Sequence, residues 1–308
     1  RLGTDNIPGV QASGYPAQDN HPGVTDSVAD VVSHNAFGAD AVEARTGVDY
    51  SNPSDLPTGD AWDQILMKNV VIMGTQGSDA HEGPGSTTPS MYIDAPTLTL
   101  NDLMHSYFEG RMYGAPGNFG GTVVFNLDGS PSPYPARYPV YVPSSQSSAN
   151  VNLNISGGIG ASQQVRWIYS NAGATPTVTD VDVGSSYSLS QAIPLSGAYT
   201  FVRAAVITPG AASPTAVNTE PIFFRSVSGM PAGMSAHVDS IAPPSGTCSC
   251  SNTMTKGITS ATYSNSTLTL ALNDPVGSGV QMLVSSPQIP LAVRAVVWLS
   301  LPLYLFPT

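Results

Sequence analysis

From residue 69 onward the chain is a succession of short apolar runs separated by turn-forming residues, and this constrains its fold more than any other feature. Runs rich in Val, Ile, Tyr, Phe and Thr occur at Asn69–Met73, Thr122–Leu127, Tyr138–Val142, Val151–Ile155, Gln164–Tyr169, Tyr187–Ile193 and Tyr199–Ile207. They continue at Ile222–Val227, Thr267–Leu272, Val280–Val284 and Leu291–Leu299, with Gly, Pro, Ser and Asn between them. Residues of these types suit a pleated, half-buried surface, and the spacers suit turns. In Thr267–Leu272 the leucines at 268, 270 and 272 face one way, while Thr267, Thr269 and Ala271 face the other. No repeat of fixed period is present, so a solenoid or propeller is disfavoured.

One helix interrupts the pattern. In the stretch from Thr99 to Phe108, Thr99 or Asn101 can cap and Asp102 suits the positive helix end. Leu103 pairs with Tyr107 and Met104 with Phe108 at i,i+4, and Gly110 ends the helix. The expected fold is therefore all-β: an antiparallel β-sandwich of the jelly-roll kind with one or two short helices.

Residues 1–60 differ. They are rich in Gly, Pro, Asp, Asn and Ala, and hold neither a period of two nor one of 3.6. Helical turns are expected near Thr25–Ser33 and Asp40–Arg45, and a clearer helix from Asp60 through Trp62, Ile65 and Leu66. The remainder reads as a long irregular N-terminal arm lying across another surface. The expected organisation is an arm over residues 1–60 and a β-sandwich domain with a C-terminal tail over residues 61–308.

Charge narrows the function. Only 10% of the 308 residues are charged, against about a quarter in an average globular protein. Interface cores are depleted in charge, so such a composition fits a chain that buries much surface against others. It also fits a Ser/Thr-rich secreted domain. The net charge of −11 is uneven. Up to Asp128 there are 16 acids and four bases (Arg1, Arg45, Lys68 and Arg111); beyond it five acids face six bases. No Lys/Arg cluster could neutralise several phosphates, which argues against direct nucleic-acid binding.

Catalytic signatures are sparse. His21, His34, His81, His105 and His237 each stand alone in sequence, and surface or interface roles are expected of them. No Gly-x-Ser-x-Gly elbow and no phosphate-binding Gly-x-x-x-x-Gly-Lys loop occurs. Asp79-Ala-His-Glu82 brings three ionisable groups together between Gly-rich turns and reads as a solvated loop tip rather than a cation site. Asp180 and Asp182 share a face of one strand and could ligate Ca²⁺, but no further acids stand near them in sequence. Asn154-Ile-Ser156 and Asn265-Ser-Thr267 match the glycosylation sequon, a short motif that recurs by chance in a Ser/Thr-rich chain. No catalytic, cofactor-binding or metal-ligating residue is assigned, no cofactor is expected, and an enzyme is not the expected reading.

Cys248 and Cys250 are separated by one residue, and a bridge between them would close a small strained ring, so free thiols are expected. The apolar run Leu291–Phe306 is interrupted by Arg294 and Pro302 and falls short of the ~20 residues that span a bilayer. It reads as a buried strand and tail, not a membrane anchor. The sequence opens on Arg1 rather than Met with no signal segment after it, which suggests a piece cut from something longer.

The run Leu98-Thr-Leu-Asn-Asp-Leu-Met-His-Ser-Tyr107, followed by Phe119-Gly-Gly-Thr-Val-Val-Phe-Asn126, resembles a recurring piece of picorna-like virus capsid proteins, those of insect and marine viruses above all. That family has a short helix of the form x-Leu-x-x-Leu-x-x-x-Tyr before an aromatic-Arg-Gly-Ser strand of the jelly roll. Gly120 stands here where the family commonly has Arg, and about thirty residues are covered. The resemblance implies an eight-stranded jelly roll, release from a polyprotein, and packing of about sixty copies of each of three coat chains into an icosahedral shell. Its partners would be other capsid chains and a host receptor, its place the virion, and its site of assembly the host cytoplasm. The alternative expectation is a secreted or surface β-sandwich adhesin that binds glycans.

Overall fold

Strand Ser148–Ser156 shows how the sequence pattern becomes a layer. Ala149, Val151, Leu153 and Ile155 are buried, while Ser148, Asn150, Asn154 and Ser156 are exposed. A period of two with one apolar set is what a strand with one dry face requires.

The computed structural model describes residues 17–20, 27–45, 61–77, 89–128, 130, 139–160, 162–174, 176–182, 186–209, 215–230, 232, 235–241, 258–264, 267–272, 280–285 and 296–299. In chain order the first half carries β1 (Gln18–Asp19), α1 (Val28–Ser33), β2 (Ala41–Arg45), α2 (Ala61–Met67), β3 (Met73–Gln76), β4 (Pro89–Ile93), α3 (Leu100–Phe108), β5 (Met112–Pro116), β6 (Thr122–Leu127) and β7 (Val140–Pro143). There follow β8 (Ser148–Ser156), β9 (Gln164–Asn171), β10 (Thr177–Asp182), β11 (Ser186–Pro194), β12 (Tyr199–Ile207), β13 (Thr215–Thr219) and β14 (Ile222–Val227). The last strands are β15 (Ser235–Ile241), β16 (Ile258–Ser264), β17 (Thr267–Leu272), β18 (Val280–Ser285) and β19 (Val296–Leu299). Strands dominate, so the protein is a mostly β-sheet molecule.

Three layers are stacked. An outer sheet of order β11-β8-β6 packs on a large central sheet, in which β12 lies beside β9 on one side and β13 and β14 on the other. Between them lies one apolar core containing Phe125, Leu153, Trp167, Val202 and Phe224. The opposite face of the central sheet carries Ile168, Phe201 and Phe223, which pack against Val31, Val42, Trp62, Ile65 and Leu66 of the N-terminal segment. β12 is thus covered on both faces, which explains why Thr200–Ile207 is buried without interruption.

The N-terminal layer is where expectation and structure part. Within the stretch read as an arm, residues 17–20 and 27–45 are built against the chain's own central sheet, with Ala36 and Val42 fully buried. The apolar groups of this stretch do need cover, and the same chain supplies it. Asp40–Arg45, expected to be helical, is instead largely strand β2. Asp40 donates its backbone N–H to Ala17 O at 2.8 Å while its carboxylate Oδ2 accepts from Ala17 N–H at 2.9 Å, which fastens the start of β2 beside β1. The strand expected over Asn69–Met73 begins only at Met73. The turn after α2 runs on through Lys68 and Asn69, and Asn69 takes a left-handed φ of 61°. Pairing is antiparallel with three exceptions among the described residues: β1–β2, β2–β3 and β7–β14 are parallel. The helix over Leu100–Phe108 forms as expected, with the Thr99 hydroxyl accepting from Asp102 N–H at 3.2 Å.

Candidate functional site

The groups singled out in the sequence do not converge. His34 sits at the end of α1, its Nδ1 2.9 Å from both Ser33 Oγ and Asp30 O, with its ring stacked on Phe37. His105 lies one helical turn from Glu109, at 3.6 Å. His237 falls in β15. His21, His81, the Asp79–Glu82 fragment, Asn265, Cys248 and Cys250 lie outside the described residues.

Asp180 and Asp182 do share a face of β10, but both already have partners. Arg166 donates to Asp180 through Nε and Nη2, each at 2.7 Å, and Gln164 donates to Asp182 at 2.8 Å. An Arg fork occupying the carboxylate uses the lone pairs a cation would need. Among the described residues no group of three His, Cys, Asp or Glu stands close enough to hold a metal ion. Asn154, in one of the sequons, lies in β8 and accepts from the Ser188 hydroxyl at 2.5 Å.

A different constellation, not singled out in the sequence, lies between the N-terminal layer and the central sheet. Arg203, in the middle of β12, donates from Nε to Asp63 Oδ1 at 2.6 Å and from Nη2 to Asp63 Oδ2 at 2.5 Å. The side chains are 2% and 0% exposed. The Trp62 ring lies 4.6 Å from the guanidinium carbon, a cation–π contact, and Asn218 accepts from Nη1 at 3.4 Å. Glu220, in the break between β13 and β14, accepts from Gly74 N–H at 2.9 Å and is 2% exposed. Burial pushes its carboxyl well above the usual range; the Gly74 N–H and the Arg203 charge offset only part of that.

Local sequence explains the placement. Ala61–Met67 is a short amphipathic helix that buries Trp62, Ile65 and Leu66, and this carries Asp63 inward with them. Gly74 lets the Trp62 ring lie flat on β3, since a Cβ there would stand 2.4 Å from ring carbons. The arrangement is sealed from solvent and ties two layers together. A residue-level signal for it exists: Arg203 is the one charge inside the nine-residue apolar run Tyr199–Ile207, and a charge buried in such a run requires a partner.

A shallow pocket of about 90 Å³ opens where β7, β12 and β14 meet, lined in part by Ser144, Gln146, Leu195, Tyr199 and Ser226. Ligand pockets for drug-sized molecules run to roughly 300–1,000 Å³, so this one suits water or a single small group. No helix among the described residues is long and apolar enough to cross a membrane. No protein-family model matches the chain. No curated protein matches it either.

Proposed function

We propose that this chain is a structural coat subunit, of the kind found in small icosahedral picorna-like viruses, whose work is self-assembly with sister chains into a shell around a genome. The observation that carries the reading is the outer face of the β11-β8-β6 sheet. Its outward side chains include Thr122, Asn150, Asn152, Asn154, Ser188 and Ser190, and the charge beside them among the described residues is Asp128 at the end of β6, whose carboxylate accepts from Asn152 at 3.3 Å. A face with so few charges is buried against another chain at little cost in stripped ion hydration. The same face on a free protein would be expected to carry Lys and Glu.

The order of pairing supports a jelly-roll reading. The hairpin β9–β10 is nested inside the pair β8–β11, the inner pair lying in the central sheet and the outer pair in the other. β12 then returns beside β9. A long hairpin rolled over on itself into a sandwich produces this nesting. β14 lies next to β12, with β7 joining β14 in parallel beyond it, and this departs from a simple roll.

Particle size tests the proposal. Under native conditions the purified protein, co-expressed with any sister chains made from the same precursor, should sediment as megadalton assemblies and appear as shells by negative-stain microscopy. A monomer or small oligomer under every condition of salt and pH tried would overturn it and favour the adhesin alternative.

A further inference from the structure

Among the described residues, two buried carboxyls of the polar seam, Asp63 and Glu220, share the field of one buried cation, Arg203. Arg203 holds Asp63 through a two-pronged contact. Glu220 is the surplus group, equally enclosed, and its visible tie is the Gly74 N–H of β3. With Glu220 neutral the three groups sum to zero; with it ionised they sum to −1 in a place water does not reach. Of the other described cations on this face of the central sheet, Arg166 is held by Asp180, and Arg225 contacts Asn69 toward the Tyr199 end of β12. Glu43 and Asp40 of the N-terminal layer are both buried acids. Tyr113 of β5 belongs to the core on the opposite face of the sheet.

We propose that Glu220 is a pH-operated latch. Neutral, it allows β3 and α2 to close on the central sheet; ionised, it places an unmatched negative charge in the seam and loosens that layer, leaving the sandwich of outer and central sheets intact. The geometry makes the effect local, because Gly74 and Asp63 both belong to residues 61–76, whereas the core between the two sheets contains neither Glu220 nor its partners.

The direction follows from linkage. Burial raises the folded-state pKa of Glu220 above its ordinary value, so its contribution to holding the layer is complete in acid. That contribution is lost as pH rises through the folded-state pKa, and not as pH falls.

Hydrogen exchange with mass-spectrometric readout on the full chain tests this between pH 5 and pH 9, with rates corrected for the intrinsic pH dependence of exchange. Protection of peptides covering residues 61–76 should fall about tenfold per pH unit above the ordinary carboxylate range, and level off once Glu220 ionises in the closed state as well. Peptides covering β8 and β11 should keep their protection. Glu220→Gln retains an acceptor for Gly74 and cannot ionise, so its 61–76 protection should be flat with pH. Equal pH profiles for the wild type and E220Q, or loss of protection in all three layers together, would overturn the proposal. Should E220Q not fold, the wild type still decides: residues 61–76 that stay protected up to pH 9 would overturn it alone.

Discussion

Replacing Arg203 by methionine isolates what the buried ion pair contributes. Methionine keeps an unbranched apolar chain of similar reach along Trp62, so the change removes charge and hydrogen bonds more than volume. It strands Asp63, which is 0% exposed and loses both guanidinium donors, at 2.6 and 2.5 Å. Breaking a buried pair by removing one partner costs about 3–5 kcal/mol, chiefly because the survivor stays buried and unmatched. Against a typical folding stability of roughly 5–15 kcal/mol, that is about a fifth of the margin or more. Urea unfolding at pH 7, followed by far-ultraviolet circular dichroism, should show the loss directly, and melting should move down by on the order of 10 °C. The double variant Asp63→Leu/Arg203→Met removes both charges together. Since apolar replacement of a whole buried pair is often neutral or stabilising, it should recover most of the loss. A loss under about 1 kcal/mol in R203M alone would refute the reasoning, for it would mean that water or another cation reaches Asp63.

Two further outcomes follow from the same layer. Gly74→Ala should cost about 1–3 kcal/mol in urea unfolding, because the new methyl would stand 2.4 Å from the Trp62 ring, whose Nε1 is fixed on Ile72 O at 3.0 Å. Deleting residues 1–45 should not leave an undisturbed β domain. It uncovers Ile168, Phe201 and Phe223 and removes the fully buried Val31 and Val42, together about 3–6 kcal/mol of apolar burial, so the truncated protein should melt lower and bind a hydrophobic dye.

Where an apolar run is continuous or alternates, the strands could be read directly from the sequence. Thr122–Leu127, Tyr199–Ile207 and Ile222–Val227 have the bounds their composition suggests, and the Thr99 cap starts its helix on time. Each of these rests on a local signal: an apolar run, a period or a cap. β4 and β5 escaped notice because Pro89–Ile93 and Met112–Pro116 mix Pro, Gly, Ser and Met with aromatic residues. What makes them strands is each other: Pro89 pairs with Pro116 and Ile93 with Met112. β2 was misread for the same reason, since Ala41–Arg45 has a helix-favouring composition and is held extended by Met73 and Gly74 of the next strand. Non-local pairing overrode local propensity in all three.

The polar seam was hidden for a further reason, which the uneven charge distribution makes intelligible. The first 128 residues carry most of the acids, and the later bases Arg166, Arg203 and Arg225 all stand on one face of the central sheet. Their register fixes this: Arg166 is opposite Ala205 and Arg225 opposite Tyr199, and both of those lie on the Arg203 side of β12. The acidic segment supplies Asp63 to Arg203, while Asn69 takes a 3.5 Å contact from Arg225. Arg166 instead takes Asp180 from the neighbouring strand. A charge imbalance between the two halves of a chain thus becomes an attraction between two layers, one that a count of acids and bases registers but cannot place. Phe201 and Phe223 would accept almost any apolar cover, whereas an Arg fork at a single position of β12 accepts only a carboxylate arriving at one angle. The apolar face therefore provides the drive to cover the central sheet, and Arg203 fixes which turn of α2 comes to rest on it.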